Sequence, residues 1–117
     1  MRSIVGRWLE HSRIFRFGGD DTADWFIGSA DMMSRNLDGR VEALVPVTDP
    51  GLQRRLGEIV DVLLSDDCLS WTLDSDGGWE RVARRGGVNA QTRLAELARA
   101  RADGRDPDAG HVLGAEA

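Results

Sequence analysis

The sequence predicts a small α/β domain, an α+β mixed sheet flanked by helices. Three observations lead there. Short β-prone runs at 12–17, 24–29 and 40–47 alternate with glycine- and aspartate-rich turns. Pro50 opens a segment with apolar residues at helical spacing. A hairpin signal around "DSDGG" then precedes a second helical segment. At 117 residues the chain suits one domain with one core.

The elements follow in order. Residues 1–9 are apolar and strand-like or short-helical, and they start without a cap, as though the chain enters a domain midway. "SRIFRF" reads as a strand, Gly18 and Gly19 turn the chain, and "DWFIGS" reads as its antiparallel partner across a six-residue loop. Residues 30–39 are polar and irregular, and "RVEALVPV" forms a third strand. Asp49 is a candidate N-cap, and Pro50 takes the first helical position, where its missing N–H costs nothing. Leu52, Leu56, Ile59, Val60 and Leu63 then mark one helical face, which should end near Ser65–Asp67. "LSWTL" and "WERVAR" flank the hairpin turn. Residues 89–102 form the second helix, capped by Asn89. The domain is thus expected over 1–102, with 103–117 a disordered tail of Gly, Asp, Ala and Pro.

Composition narrows the function. The net charge of −5 argues against broad nucleic-acid binding. No apolar run is long enough to span a membrane, and no signal-peptide core follows the first basic residues. The single cysteine, Cys68, rules out an internal disulfide, fits a reducing cytosol and reads as a buried structural thiol. Trp8, Trp25, Trp71 and Trp79 read as core or half-buried sheet residues, and Met32 and Met33 as packing. All 15 basic residues are arginine, whose planar fork grips phosphate or carboxylate, although a GC-rich coding bias is the better account of most of them.

Some residues could carry chemistry together. Side chains two apart on a strand share a face, so His11 and Arg13 should project together, with Phe15 and Phe17 continuing that face. Ser29 ends the next strand, Arg40 and Glu42 share a face of the third, and Asp31 and Asn36 lie in the intervening loop. If the three strands are neighbours, these groups converge at one sheet end. The set suits phosphoryl chemistry. An imidazole can attack phosphorus or protonate a leaving oxygen. Arginine forks neutralise phosphate charge. A Gly-Ser turn offers N–H groups to an anion. Each residue also has a plain reading: a structural histidine, ion-paired arginines, an Arg40–Glu42 salt bridge, an ordinary turn. No metal-ligand cluster stands out.

The runs "SIVGRWLEHSRIFRF" and "DWFIGSADMMSRNLDGRVEALVPVTDPGLQRRLGEIVDVLLSDD" resemble the C-terminal catalytic domain of the bacterial polyphosphate kinase family. The likeness covers roughly residues 2–85, and the pairing of "EHSRIF" with "SADMMSRNLDGRVE" at this spacing is highly specific. It implies one half of a phospholipase-D-like fold, in which two halves each give a histidine with a basic residue two positions on. Here that pair is His11–Arg13. By resemblance, a histidine of the other half is phosphorylated, and His11 contacts the nucleotide phosphates and assists transfer. Arg13 and Arg40 bind ATP phosphate, while Ser29, Asp31, Asn36 and Glu42 shape the pocket. Mg²⁺ accompanies ATP, and polyphosphate is the second substrate. The family also suggests oligomers and a cytoplasmic enzyme, and allows membrane association through the complete protein.

Family members are several times longer, and His11 is the one histidine in the matching region. The chain is therefore expected to be a truncated or excised piece, inactive alone, with an exposed apolar face open to self-association. Two alternatives remain. One is a phosphate-binding module that completes a split kinase in trans. The other is a phospholipase-D-like phosphodiesterase that dimerises to bring two His11 side chains together.

Overall fold

A computed structural model describes residues 1–19, 21–29 and 43–105. Eight elements follow one another: β1 (Arg2–Ile4), β2 (Ile14–Phe17), β3 (Asp24–Gly28), β4 (Leu44–Val47), α1 (Pro50–Ser65), β5 (Ser70–Leu73), β6 (Trp79–Arg81) and α2 (Ala90–Ala102). The expected α+β class is what the chain adopts. Its strands divide into two antiparallel sheets, ordered β2–β3–β4 and β1–β5–β6. The first sheet is local in sequence. The second joins the N-terminal strand to a hairpin more than sixty residues away, with Ser3 opposite Trp71. Of the expected tail, residues 106–117 lie outside the described residues.

Register decides which side chains share a face. Arg16, Trp25 and Val47 lie in line across the first sheet, as do Phe15, Phe26 and Pro46. Trp25 is buried, and the Arg16 guanidinium lies 5.4 Å from its ring centre, a cation–π contact. On the opposite face Phe17 meets Phe26 edge-on at 6.1 Å. The first ladder starts at Ile14, two residues later than "SRIFRF" suggests. Arg13 still joins it through its carbonyl, which accepts the Gly28 N–H at 3.3 Å. The next N–H along the chain, that of Ser29, alternates to the other side and donates to the Ala43 carbonyl at 3.0 Å. His11 and Ser12 therefore precede the strand, and strand alternation does not set the direction of His11.

Both helices start where capping chemistry places them. Asp49 Oδ1 accepts the Leu52 N–H at 3.0 Å, and Asn89 Oδ1 accepts that of Thr92 at 3.2 Å. Leu56, Ile59, Val60 and Leu63 are half-buried along α1, whereas Leu52 stays exposed. Between the helices, buried Glu58 accepts from Arg101 Nη2 at 2.6 Å, with Arg55 at 3.9 Å. A carboxylate so enclosed needs such partners to stay charged. In the second sheet, Asp74 Oδ1 accepts the N–H groups of Asp76 and Gly78, and Gly77 takes the left-handed conformation that closes the hairpin. Trp71 is half-buried and Trp79 is 46% exposed in β6, while Trp8 belongs to neither sheet and is 52% exposed. Trp8 thus departs from the sheet position expected for the tryptophans, because β1 ends at Ile4.

Two aspartates after α1 tie these parts together. Asp66 is fully buried; Oδ1 accepts from the Leu69 N–H (2.8 Å) and the Ser70 hydroxyl (2.9 Å), and Oδ2 from the Ala90 N–H (2.7 Å). Its carbonyl also accepts from the Arg2 guanidinium. Asp67 accepts four backbone N–H groups: those of Arg85 (2.6 Å), Gly86 (2.7 Å) and Gly87 (3.1 Å) at Oδ2, and that of Val88 (2.6 Å) at Oδ1. This ring of donors, led by Arg85, holds the Asp67 carboxyl well below the usual carboxylate range. Beside it, Cys68 is buried and its sulfur accepts from Arg84 at 3.2 Å.

Replacing Asp67 by Asn turns an all-acceptor group into one that is half donor. At neutral pH the melting temperature should fall by on the order of 10 °C. Because the folded carboxyl titrates below the unfolded one, its stabilisation is complete above about pH 4 and is lost as pH falls further. The gap between wild type and Asp67→Asn should therefore narrow from pH 4 toward pH 2 in thermal melts; a constant gap would contradict this account. At the sheet end, the Ser29 hydroxyl accepts the Ala43 N–H at 3.1 Å. Ser29→Ala should cost about 0.5–1 kcal/mol in denaturant unfolding, and Ser29→Thr should restore most of it.

Candidate functional site

The segment between β1 and β2 carries the histidine. Residues 5–13 contain no strand or helix, so their course depends on bonds from neighbouring elements. Val5 N–H donates to the Leu69 carbonyl at 3.0 Å at one end, and Arg13 joins β3 at the other. Midway, the buried side chain of Gln91 in α2 bonds both main-chain groups of Trp8, accepting its N–H at 3.1 Å and donating to its carbonyl at 2.8 Å.

Two open clefts flank the histidine in sequence. One, about 470 Å³, is lined by Ser12, Arg13, Ser29 and Ala43 together with Ile14 and Ile27. The other, about 740 Å³, lies along residues 2–10 and Ser12, with Leu63 of α1 and Gln91 of α2 among its walls. His11 is exposed between Glu10, which lines the larger cleft, and Ser12, which lines both. Arg13 is half-buried and its Nη1 donates to the His11 carbonyl at 3.2 Å, so one guanidinium stays close to the histidine. The Arg7 guanidinium lies 5.7 Å from the Trp8 ring centre, which adds a second cation to the same segment. An exposed imidazole with a guanidinium held at its own main chain, and a second on the same segment, is suited to an anionic, phosphate-rich ligand.

Of the residues expected in the site, His11, Arg13 and Ser29 are described; Arg13 and Ser29 line one cleft, and His11 directly precedes Ser12, which lines it too. Arg40, Asp31, Asn36 and Glu42 lie outside the described residues, as do Met32 and Met33. The Ser29 hydroxyl serves the backbone of Ala43, which makes it part of the cleft wall. Among the described residues no group of three or more His, Cys, Asp or Glu could hold a metal ion, and no helix is long and apolar enough to cross a membrane. Asp66 and Asp67 are already bonded to backbone N–H groups. Gln91 was not legible in the sequence, where it is one polar residue in the first turn of a helix. Only its contact with a segment 83 residues away distinguishes it.

Comparison with known proteins supplies the family. Residues 1–93 match the family described as polyphosphate kinase C-terminal domain 2. The polyphosphate kinase of Streptomyces coelicolor is 51% identical over 83 residues, 71% of this chain and 11% of that protein. Polyphosphate kinase 1 of Chlorobaculum tepidum is 45% identical over 93 residues, 79% of this chain and 13% of its own length. The crystal structure of polyphosphate kinase from Porphyromonas gingivalis superposes with a TM-score of 0.80 at 31% identity, covering 88% of this chain and 16% of that one. The chain thus spans between a tenth and a sixth of the length of these relatives. With its matched region running from β1 into α2, the chain belongs to the polyphosphate kinase C-terminal domain family.

Proposed function

We propose that the chain supplies one half of the phosphoryl-transfer site of an ATP:polyphosphate phosphotransferase. The observation that carries this reading is the family match over residues 1–93, which includes the His11–Arg13 pair beside the Ser29 cleft. The fold of this half is phospholipase-D-like. The other half, supplied from outside these 117 residues, brings the histidine that takes the phosphoryl group.

The chemistry balances in two steps. The other half's histidine attacks the γ-phosphorus of ATP, the bond to the β-phosphate oxygen breaks, and ADP leaves. A terminal oxygen of polyphosphate then attacks the phosphohistidine, which regenerates the imidazole and lengthens the chain by one phosphate. His11 contacts the transferring phosphate and holds or donates a proton at the leaving oxygen. Arg13 and Arg40 neutralise charge on the phosphate oxygens. Ser29, Asp31, Asn36 and Glu42 shape the pocket around them. Mg²⁺ enters as part of the nucleotide substrate, bridging its phosphates.

On this reading the purified chain makes no polyphosphate from MgATP, and a polypeptide carrying the other half restores synthesis. In that assembled enzyme, His11→Ala should lower turnover by roughly 10²–10⁴-fold. Arg13→Lys keeps the charge but loses the fork and should raise KM more than it lowers kcat. Radiolabelled ATP with gel separation of the product reads all of these. Synthesis by the isolated chain that disappears in His11→Ala would overturn the half-site reading, and wild-type turnover in the His11→Ala enzyme would remove the histidine's role.

A further inference from the structure

We infer that Gln91 is a positioning residue for His11, acting through a two-bond clip on Trp8. The inference rests on the reading of His11 as a phosphate contact and adds a residue to that site. The Gln91 amide accepts the Trp8 N–H and donates to the Trp8 carbonyl, at 3.1 and 2.8 Å. That is the exchange an antiparallel strand partner makes. One side chain thus replaces a missing strand at the point where the segment has no ladder of its own.

The surroundings are built around this clip. Gln91 is 6% exposed, and a buried amide left unpaired would be costly. Gly6 provides the room: a Cβ there would fall 2.4 Å from Gln91 Oε1 and 2.7 Å from Nε2. The base of the clip is fixed as well, since the adjacent Ala90 N–H is bound by Asp66 and the Val88 N–H by Asp67. Beyond Trp8 the next backbone–backbone bond is at Arg13, through Gly28, and the Arg13 guanidinium donates to the His11 carbonyl. His11 therefore lies on a short span held at both ends, one end by α2 and the other by β3. Freeing the Trp8 end lets residues 9–12 sample positions in which the imidazole no longer meets the phosphate that Arg13 holds. Ordering the span on binding then costs entropy that the clip has already removed.

The test uses the full 117-residue chain and NMR, with inorganic tripolyphosphate as the probe. The chain has 2 histidines, so the His11 imidazole signals are identified by their loss in His11→Ala. In wild type the Trp8 amide hydrogen should exchange more slowly than those of Arg7 and Leu9. Gln91→Ala should abolish that protection, loosen the amides of residues 9–12 and weaken tripolyphosphate binding at His11 by about tenfold. Gly6→Ala, which displaces the amide from the other side, should do the same. Asp49→Ala, which removes the α1 cap, should lower stability without moving either readout. Rapid exchange of the wild-type Trp8 amide overturns the clip without any variant. Unchanged affinity and unchanged order of residues 9–12 in folded Gln91→Ala or Gly6→Ala overturns the positioning role. If tripolyphosphate does not shift wild-type His11 at all, the phosphate-contact reading fails instead. The order of residues 9–12 in the variants then decides the role of Gln91: loosening sustains it and no change ends it.

Discussion

The fold depends on two carboxylates that accept backbone N–H groups from distant parts of the chain. Asp66 and Asp67 sit where α1 ends, at the meeting point of both helices and the β1–β5–β6 sheet. Asp66 fixes the turn into β5 and the first residue of α2. Asp67 gathers the loop from Arg85 to Val88 that leads into α2. At Asp67 the peptide N–H groups supply the opposing charge, and the Arg84 guanidinium nearby adds to it. This device suits a chain whose fully buried apolar residues are few, with Trp25, Cys68, Ala90 and Leu97 the buried ones among the described residues.

From these pins the order extends outward to the histidine. They set the start of α2, the start of α2 presents Gln91, and Gln91 holds Trp8. The second hold, at Arg13, comes from the other sheet. The segment that carries His11 thus bridges the two sheets and belongs to neither. A side chain on such a bridge can face solvent while the backbone on either side of it is held by bonds to neighbouring elements. The β2–β3–β4 sheet leaves Phe17 and Leu44 exposed on one face and Ile27 and Val45 on the other.

Much of the secondary structure was legible because its signals are local. Asp49–Pro50 and Asn89 begin helices by bonding a backbone N–H three residues on, which needs no tertiary partner. The "DSDGG" turn closes through Asp74 and a left-handed Gly77, again within a few residues. The hairpin of β2 and β3 was legible for the same reason. What failed was the extension of that strand back to His11: the ladder begins with Ile14 opposite Ile27, and residues 12–17 carry no mark of where pairing starts. The exposure of Trp8 and Leu52 was equally hidden, because an apolar side chain does not specify what covers it.

The sequence by itself determined the α+β class, the helix caps, the first hairpin and, through "EHSRIF" and "SADMMSRNLDGRVE", the family. Those features are written in neighbouring residues or in a specific linear pattern. Tertiary structure alone decided that the strands form two sheets, that "DD" after α1 is a buried double pin, and that Gln91 grips Trp8 across 83 residues. Each of those depends on a donor and an acceptor far apart in the chain. A short polar side chain looks the same in sequence whether it meets water or a buried N–H, and only the fold brings the partner to it.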